Sequence, residues 1–153
     1  MTLNPLPLGI RNNNPGNLRQ AYGMSYKTEL VDGFAKFKSL SDGVEALCRL
    51  TSDYYTVHGL RTLPQFISRY APASENDVAA YVRQMVLLLH VDPLRVNTAD
   101  TNLDRGWAAL HFMRAIIIVE NGNAPASWLP PCEWIDLTTW TACMHRSTKW
   151  RIV

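Results

Sequence analysis

Apolar and polar positions change their period several times along this chain, and the changes mark its elements. Residues 9–24, GIRNNNPGNLRQAYGM, carry no period and are crowded with Gly, Asn and Pro. Asn tolerates left-handed backbone and Pro-Gly favours tight turns, so an ordered loop is expected there and not a helix. Residues 25–38, SYKTELVDGFAKFK, hold a turn signal, Asp32-Gly33, between two short segments. This predicts a β-hairpin, although Phe34 and Phe37 do not alternate strictly.

Beyond Ser39 the period becomes helical. Ser39 with Asp42 three residues on is a capping-box-like start. Val44, Leu47, Cys48, Tyr54 and Val57 then fall roughly on one face, and Gly59 can close the helix. A short helix is predicted over 62–70, with Pro64 tolerated in its first turn. Ser74 and Asp77 repeat the capping spacing, and Val78, Tyr81, Val82, Met85 and Leu89 form one apolar stripe. The stretch 90–106 is polar and irregular. It leads to a helix near 107–120, WAALHFMRAIIIVE, stopped by Asn121-Gly122. After Arg114 that helix is apolar on almost every side, which predicts a place at the centre of the core. The last segment changes character again: residues 125–153 hold four of the five tryptophans and show no clear period. The expected fold is therefore mainly α (α+β), a helical domain over 1–124 with a small β-hairpin region and a Trp-rich tail over 125–153 of unassigned role.

Composition narrows the function classes. A chain of 153 residues with 47% apolar positions suits one globular domain with a sizeable core. Fifteen basic against thirteen acidic residues leave a net charge of +2. This lacks the concentrated Lys/Arg stripe of a nucleic-acid binder. The three cysteines, Cys48, Cys132 and Cys143, are irregularly spaced and make no disulfide framework. Cys48 lies on an apolar helix face and reads as a buried thiol. No CxxC or paired-His spacing points to a metal, and no cofactor is implied. His58, His90, His111 and His145 share no spacing, and no GxSxG or Cys-His arrangement occurs. The Gly-rich loop lacks a following Lys-Ser/Thr and is not a phosphate cradle. The opening MTLNPLPLGIRNNNPGN has no basic start with a long apolar run, so it is not read as a secretory signal. Phe112 to Val119 is interrupted by Arg114 and is too short to span a bilayer. The chain is expected to be made in the cytoplasm without stable membrane insertion, and to need delivery if it acts outside.

One carboxylate stands out. Glu120 follows Ile116, Ile117, Ile118 and Val119 and precedes the helix stop. An apolar setting and the negative end of a helix dipole both disfavour the charged form. A carboxyl kept protonated in this way is what a glycosidase needs to protonate a leaving oxygen. A Glu pointing into solvent at a helix end is the plainer reading. Glu29 and Asp32 flank the hairpin as candidates for a second carboxylate, or as solvated turn residues. Tyr70, Asn76 and Tyr81, in RYAPASENDVAAY, can line a sugar site through stacking and hydrogen bonds. Equally, Tyr81 suits the core and Asn76 a first helical turn. Asn14, Asn17 and Arg19 either shape a cleft or stabilise their own loop.

GIRNNNPGNLR at 9–19 resembles the opening of a family of phage and prophage peptidoglycan-degrading lytic transglycosylases. The resemblance continues through GFAKFKSLSDGVEAL (33–47), YYTVHGLRTLPQFISRYAPASENDVAAYV (54–82) and AIIIVENG (115–122), in the same order. It spans about residues 9–122 and ends after Pro125. Such proteins are virion-associated or lysis-related, and related domains occur in toxins delivered between bacteria. A remoter likeness is to flagellar-type glucosaminidases, which are lysozyme-like. PGNLR (15–19), YKTEL (26–30), FAKFKS (34–39) and RYAPASENDVAAY (69–81) resemble successive parts of that motif, while the Glu-bearing helix comes last instead of first. The resemblance thus implies a circularly permuted lysozyme-like fold, which is physically acceptable when termini lie close together.

On that resemblance Glu120 corresponds to the general acid, Glu29 to a second carboxylate, and Tyr81, with Tyr70 near it, to a sugar-site tyrosine. The closer family often lacks a Glu at the Glu29 position, which fits a single-carboxylate mechanism. It usually has a basic residue or His where this chain has Val119. The implied activity is cleavage of the β-1,4 bond between N-acetylmuramic acid and N-acetylglucosamine. The partners implied are glycan strands, with virion or secretion components, or an immunity protein, according to the delivery route. Site residues implied for substrate are Tyr81, Tyr70, Asn76, Asn17 and Arg19. A non-catalytic wall-binding or virion structural protein, and an injected antibacterial toxin, are the rival readings. Action would be on the wall in the periplasm, after delivery.

Overall fold

The computed structural model describes residues 6–21, 24, 26–60, 62–89 and 107–122. The segment 90–106 and the tail 125–153, with Cys132 and Cys143, lie outside the described residues. The fold is mainly helical with one small hairpin. In chain order the elements are α1 (Leu8–Arg11), β1 (Glu29–Val31), β2 (Phe34–Lys36), α2 (Leu40–Thr56), α3 (Leu63–Tyr70), α4 (Val78–Leu89) and α5 (Trp107–Asn121). α5 packs against α4, α2 and α1, and α3 packs against α4.

The helices start where local chemistry satisfies their free amides. The Ser39 hydroxyl accepts from the Asp42 amide at 3.1 Å and opens α2. Thr62 and Gln65 form a reciprocal capping box on α3, with Pro64 inside its first turn. α4 departs from expectation. Its cap is Asp77, whose Oδ1 accepts from the Ala80 amide at 2.9 Å. Ser74 is taken up earlier, in a turn where the Pro72 carbonyl accepts from both Glu75 and Asn76. A second departure lies in the Asn-rich loop, whose first residues make a single helical turn, α1. The Pro7 carbonyl accepts from Ile10 and Arg11 at 3.0 Å each, and this closes the turn before the asparagines begin.

The hairpin forms as its Asp-Gly signal predicts. Asp32 and Gly33 take φ of 53° and 82°, which turns the chain so that Val31 pairs with Phe34, Leu30 with Ala35, and Glu29 with Lys36. A two-stranded hairpin alone is marginal in water. This one is fastened along the loop from Asn12 to Leu18. The Ala35 amide donates to the Leu18 carbonyl at 2.8 Å, and the Phe37 amide to the Asn12 carbonyl at 2.9 Å. Asn14, wholly buried, donates to the carbonyls of Leu18 and Ala35 at 2.8 Å each, and its own Oδ1 accepts from the Leu18 amide.

Leu47, Cys48, Phe66, Ile67, Met85, Phe112, Met113 and Ile116 make the centre of the core. Phe66 stands edge-on between Phe112 at 5.0 Å and Tyr54 at 5.5 Å, centroid to centroid. α5 crosses this core but is not enclosed all round. Ile118 is 41% exposed. Val57, expected on the buried face of α2, is half exposed, since the helix ends at Thr56 and the chain turns away there.

Candidate active site

α5 delivers Glu120 to the edge of the core by simple periodicity. Phe112 and Ile116 are completely buried, and Glu120 lies four residues further along the same face. One position on, Asn121 is buried. Its Nδ2 donates to the Pro15 carbonyl at 2.8 Å and to the Ile117 carbonyl at 2.7 Å. The last turn of α5 is thereby pinned to the Asn-rich loop, more than a hundred residues away in sequence, and Gly122 at φ 56° ends the helix.

The Glu120 side chain is half-buried and both of its carboxyl oxygens have a donor. Tyr81, from α4, donates its hydroxyl to Oε1 at 2.6 Å. Asn17, from the loop, donates Nδ2 to Oε2 at 3.0 Å and leans on the Glu120 carbonyl at 3.4 Å. Asn17 can do this because it sits in the left-handed region, φ 49°, which Asn tolerates. Behind it lies Gly9. A Cβ on Gly9 would stand 2.5 Å from Asn121 Oδ1, 2.8 Å from the Asn14 carbonyl oxygen and 3.0 Å from Asn17 Oδ1. Two of these three oxygens, those of Asn17 and Asn121, are buried without a hydrogen-bond partner. The hydrogen of the Gly9 α-carbon is what they face, and only glycine leaves room for them there.

Burial, first, and then the charge of Glu120 and the hydrogen bond to it push the Tyr81 hydroxyl well above the ordinary tyrosine range. Tyr81 therefore stays a donor. Above pH 10 the unfolded chain gives up this proton and the folded chain keeps it, so unfolding becomes easier as pH rises. Two results are expected. Wild type and Tyr81→Phe, both folded, should show equal tyrosinate absorbance near pH 10. The stability advantage of wild type over the variant should shrink as the pH is raised beyond 10 in urea titrations. A missing absorbance step in the variant would mean that Tyr81 is open to solvent.

Glu120 opens onto a cavity of about 420 Å³, within the usual size for a ligand site. Of the candidates named from sequence, Asn17, Arg19, Tyr70 and Asn76 line it, and Tyr81 reaches Glu120 from α4. The Tyr70 hydroxyl donates to the Gly16 carbonyl, and its ring meets Tyr81 edge-on at 6.5 Å. Arg19 bridges to Glu75 at 2.8 Å across the cavity and lies over the Phe34 ring. Asn14 turns out to hold the loop and does not line the cavity.

Glu29 is placed differently from expectation. It is exposed on β1, lies opposite Lys36 at 4.0 Å, and does not line the cavity. The alternation of the strand explains this, because it is Ala35 and Phe37 that turn to the core. Asp32 is exposed at the tip of the turn. The second carboxylate that does line the cavity is Glu75, unremarked in the sequence and engaged by Arg19. Sequence reasoning also passed over Arg69 and Asn121. Asn121 read only as a helix stop; its pairing with a buried Gly9 has no local signature. Among the described residues no group of three His, Cys, Asp or Glu is placed to hold a metal, and no helix is long and apolar enough to cross a membrane.

No family model matches the chain. It is 30% identical over 132 residues to Protein P5 of Pseudoalteromonas phage PM2, an alignment that covers 82% of this chain and 78% of that protein. The chain thus belongs to the family of this phage protein, and is associated with bacteriophage by that kinship.

Proposed function

We propose that the protein is a peptidoglycan-cleaving glycosidase of the lytic transglycosylase kind, with Glu120 as its acid and base. The observation that carries the reading is a carboxyl group held by Tyr81 and Asn17 at the wall of a cavity lined with Tyr, Asn and Arg. Glu120 gives its proton to the glycosidic oxygen as the bond from muramic C1 breaks, and a cationic sugar remains. The muramic C6 hydroxyl then attacks C1, and its proton passes to the Glu120 carboxylate. The product is a 1,6-anhydro sugar, and the acid is restored.

The surroundings favour this route over hydrolysis. A muramidase needs a second carboxylate across the cleft to act as nucleophile or to activate water. Glu29 points away on the hairpin, and Glu75 is tied to Arg19. The order of the described elements, with the hairpin early and the Glu-bearing helix last among them, fits a permuted lysozyme-like arrangement. Kinship with a phage protein supports delivery to the wall by a virion or a lysis programme. Mass spectrometry of digested sacculi is the test. We expect anhydromuropeptides as the products. Reducing-end muropeptides alone would replace the transglycosylase reading with a hydrolase, and an undigested sacculus that still binds the protein would leave a wall-binding module.

A further inference from the structure

The charges around the cavity do not cancel in the form that the proposed chemistry requires. Its lining carries Arg19, Arg69, Glu75 and Glu120. Arg19 and Glu75 neutralise each other at 2.8 Å. With Glu120 protonated, as an acid must be before it acts, one positive charge remains among the described lining residues, and it belongs to Arg69. Among the described residues no carboxylate pairs with Arg69. Its Nη2 lies 3.1 Å from His58 Nε2, and its guanidinium rests over the Tyr54 ring at 5.6 Å. A guanidinium can only donate, so His58 accepts through an unprotonated Nε2 and leaves the charge uncancelled. Tyr54 is buried and edge-packed on Phe66. The guanidinium is thus held from two sides on a firm platform at the rim of the cavity, and it has donors to spare. A planar fork of this sort suits a carboxylate.

Resting on the glycosidase reading above, we propose that Arg69 binds a carboxylate carried by the muramyl side chain of the substrate, and so selects glycan strands that bear that charge. The carboxylate has two sources, the lactyl ether of a peptide-free muramyl residue or the stem peptide joined to it. The chemistry at Arg69 is the same.

The experiment compares peptide-bearing strands, strands freed of peptide with the lactyl carboxylate exposed, and both after carbodiimide amidation with methylamine. Cleavage and binding are measured for wild type, Arg69→Gln and Arg69→Lys. Wild type should lose about tenfold or more in kcat/KM on amidation, mainly through KM, as expected for a charged hydrogen bond. The strand type that shows the loss identifies the source. In Arg69→Gln the ratio between free and amidated strands should fall to near one, and Arg69→Lys should recover part of it. A purely structural role would lower activity on every strand together, with a lower melting temperature, and would overturn the proposal. So would a wild type indifferent to amidation, a result that needs no variant to fold. If no strand is cleaved but binding shows the same Arg69-dependent ratio, the glycosidase reading falls and the carboxylate site stands. Absence of both cleavage and ratio removes both.

Discussion

In the Glu120→Gln variant, release of muropeptides from sacculi should fall by roughly a thousandfold or more, from loss of the proton source and of charge stabilisation at the cationic sugar. The fold should survive the change. The Gln carbonyl can accept from Asn17 as the carboxylate does, and the Gln amide can donate to the Tyr81 hydroxyl, which is free to rotate. Melting temperatures of variant and wild type should therefore agree closely, which separates a chemical loss from a structural one. Glu29→Gln is the control. Its exposed pairing with Lys36 at 4.0 Å contributes little to stability, and the side chain does not line the cavity, so activity should stay close to that of wild type. A fully active Glu120→Gln beside a dead Glu29→Gln would reverse the roles assigned to the two carboxylates.

The largest effect on stability should come from Asn14→Leu. Leucine has the same number of side-chain heavy atoms and the same branching, is bulkier through its methyl groups, and makes none of the three hydrogen bonds of Asn14. The carbonyl of Ala35 and the amide of Leu18 each lose a buried partner, while the Leu18 carbonyl keeps its bond from the Ala35 amide. Each buried group left unpaired costs about 1–3 kcal/mol, so a total loss of roughly 3–5 kcal/mol is expected. For a chain of this size that lowers the melting temperature by about 10 °C. Activity should drop further than stability alone requires, because the loop also carries Asn17 to Glu120. Asn13→Ala, which gives up one partly buried bond to the Phe37 carbonyl and places alanine in the left-handed region at φ 52°, should cost less, about 1–2 kcal/mol. Equal urea midpoints for Asn14→Leu and wild type would show that this loop does not clamp the hairpin.

The contrast between the two asparagines shows how far the sequence could be read. Its composition marked 9–24 as an ordered loop, yet GIRNNNPGN does not say which Asn faces inward. Asn14 holds the hairpin, Asn17 holds the carboxyl, and Asn13 lies at the margin. Side-chain direction in an irregular segment follows from the backbone torsions of each residue, and no period encodes them. Capping is similar. Ser39 opens its helix as the sequence predicts, whereas Thr62, read only as the first residue of a short helix, is its cap, and the spacing of Ser74 to Asp77 matches a cap that the turn at Pro72 pre-empts.

Sequence by itself determined the elements: the Asp-Gly hairpin, the helices with their apolar faces, the Asn-Gly stop after Glu120. These depend on forces that act within a few residues, which are torsional preference, capping and the periodic burial of apolar side chains. Only the tertiary structure decided which carboxylates share a cavity. Glu120 meets Tyr81 across 39 residues and Asn17 across 103, and Glu75 meets Arg19 across 56. Glu29 was excluded by the face its strand presents. Such meetings depend on how α5, α4 and the loop pack around one core, and the free energy of that packing is shared by side chains remote from one another along the chain.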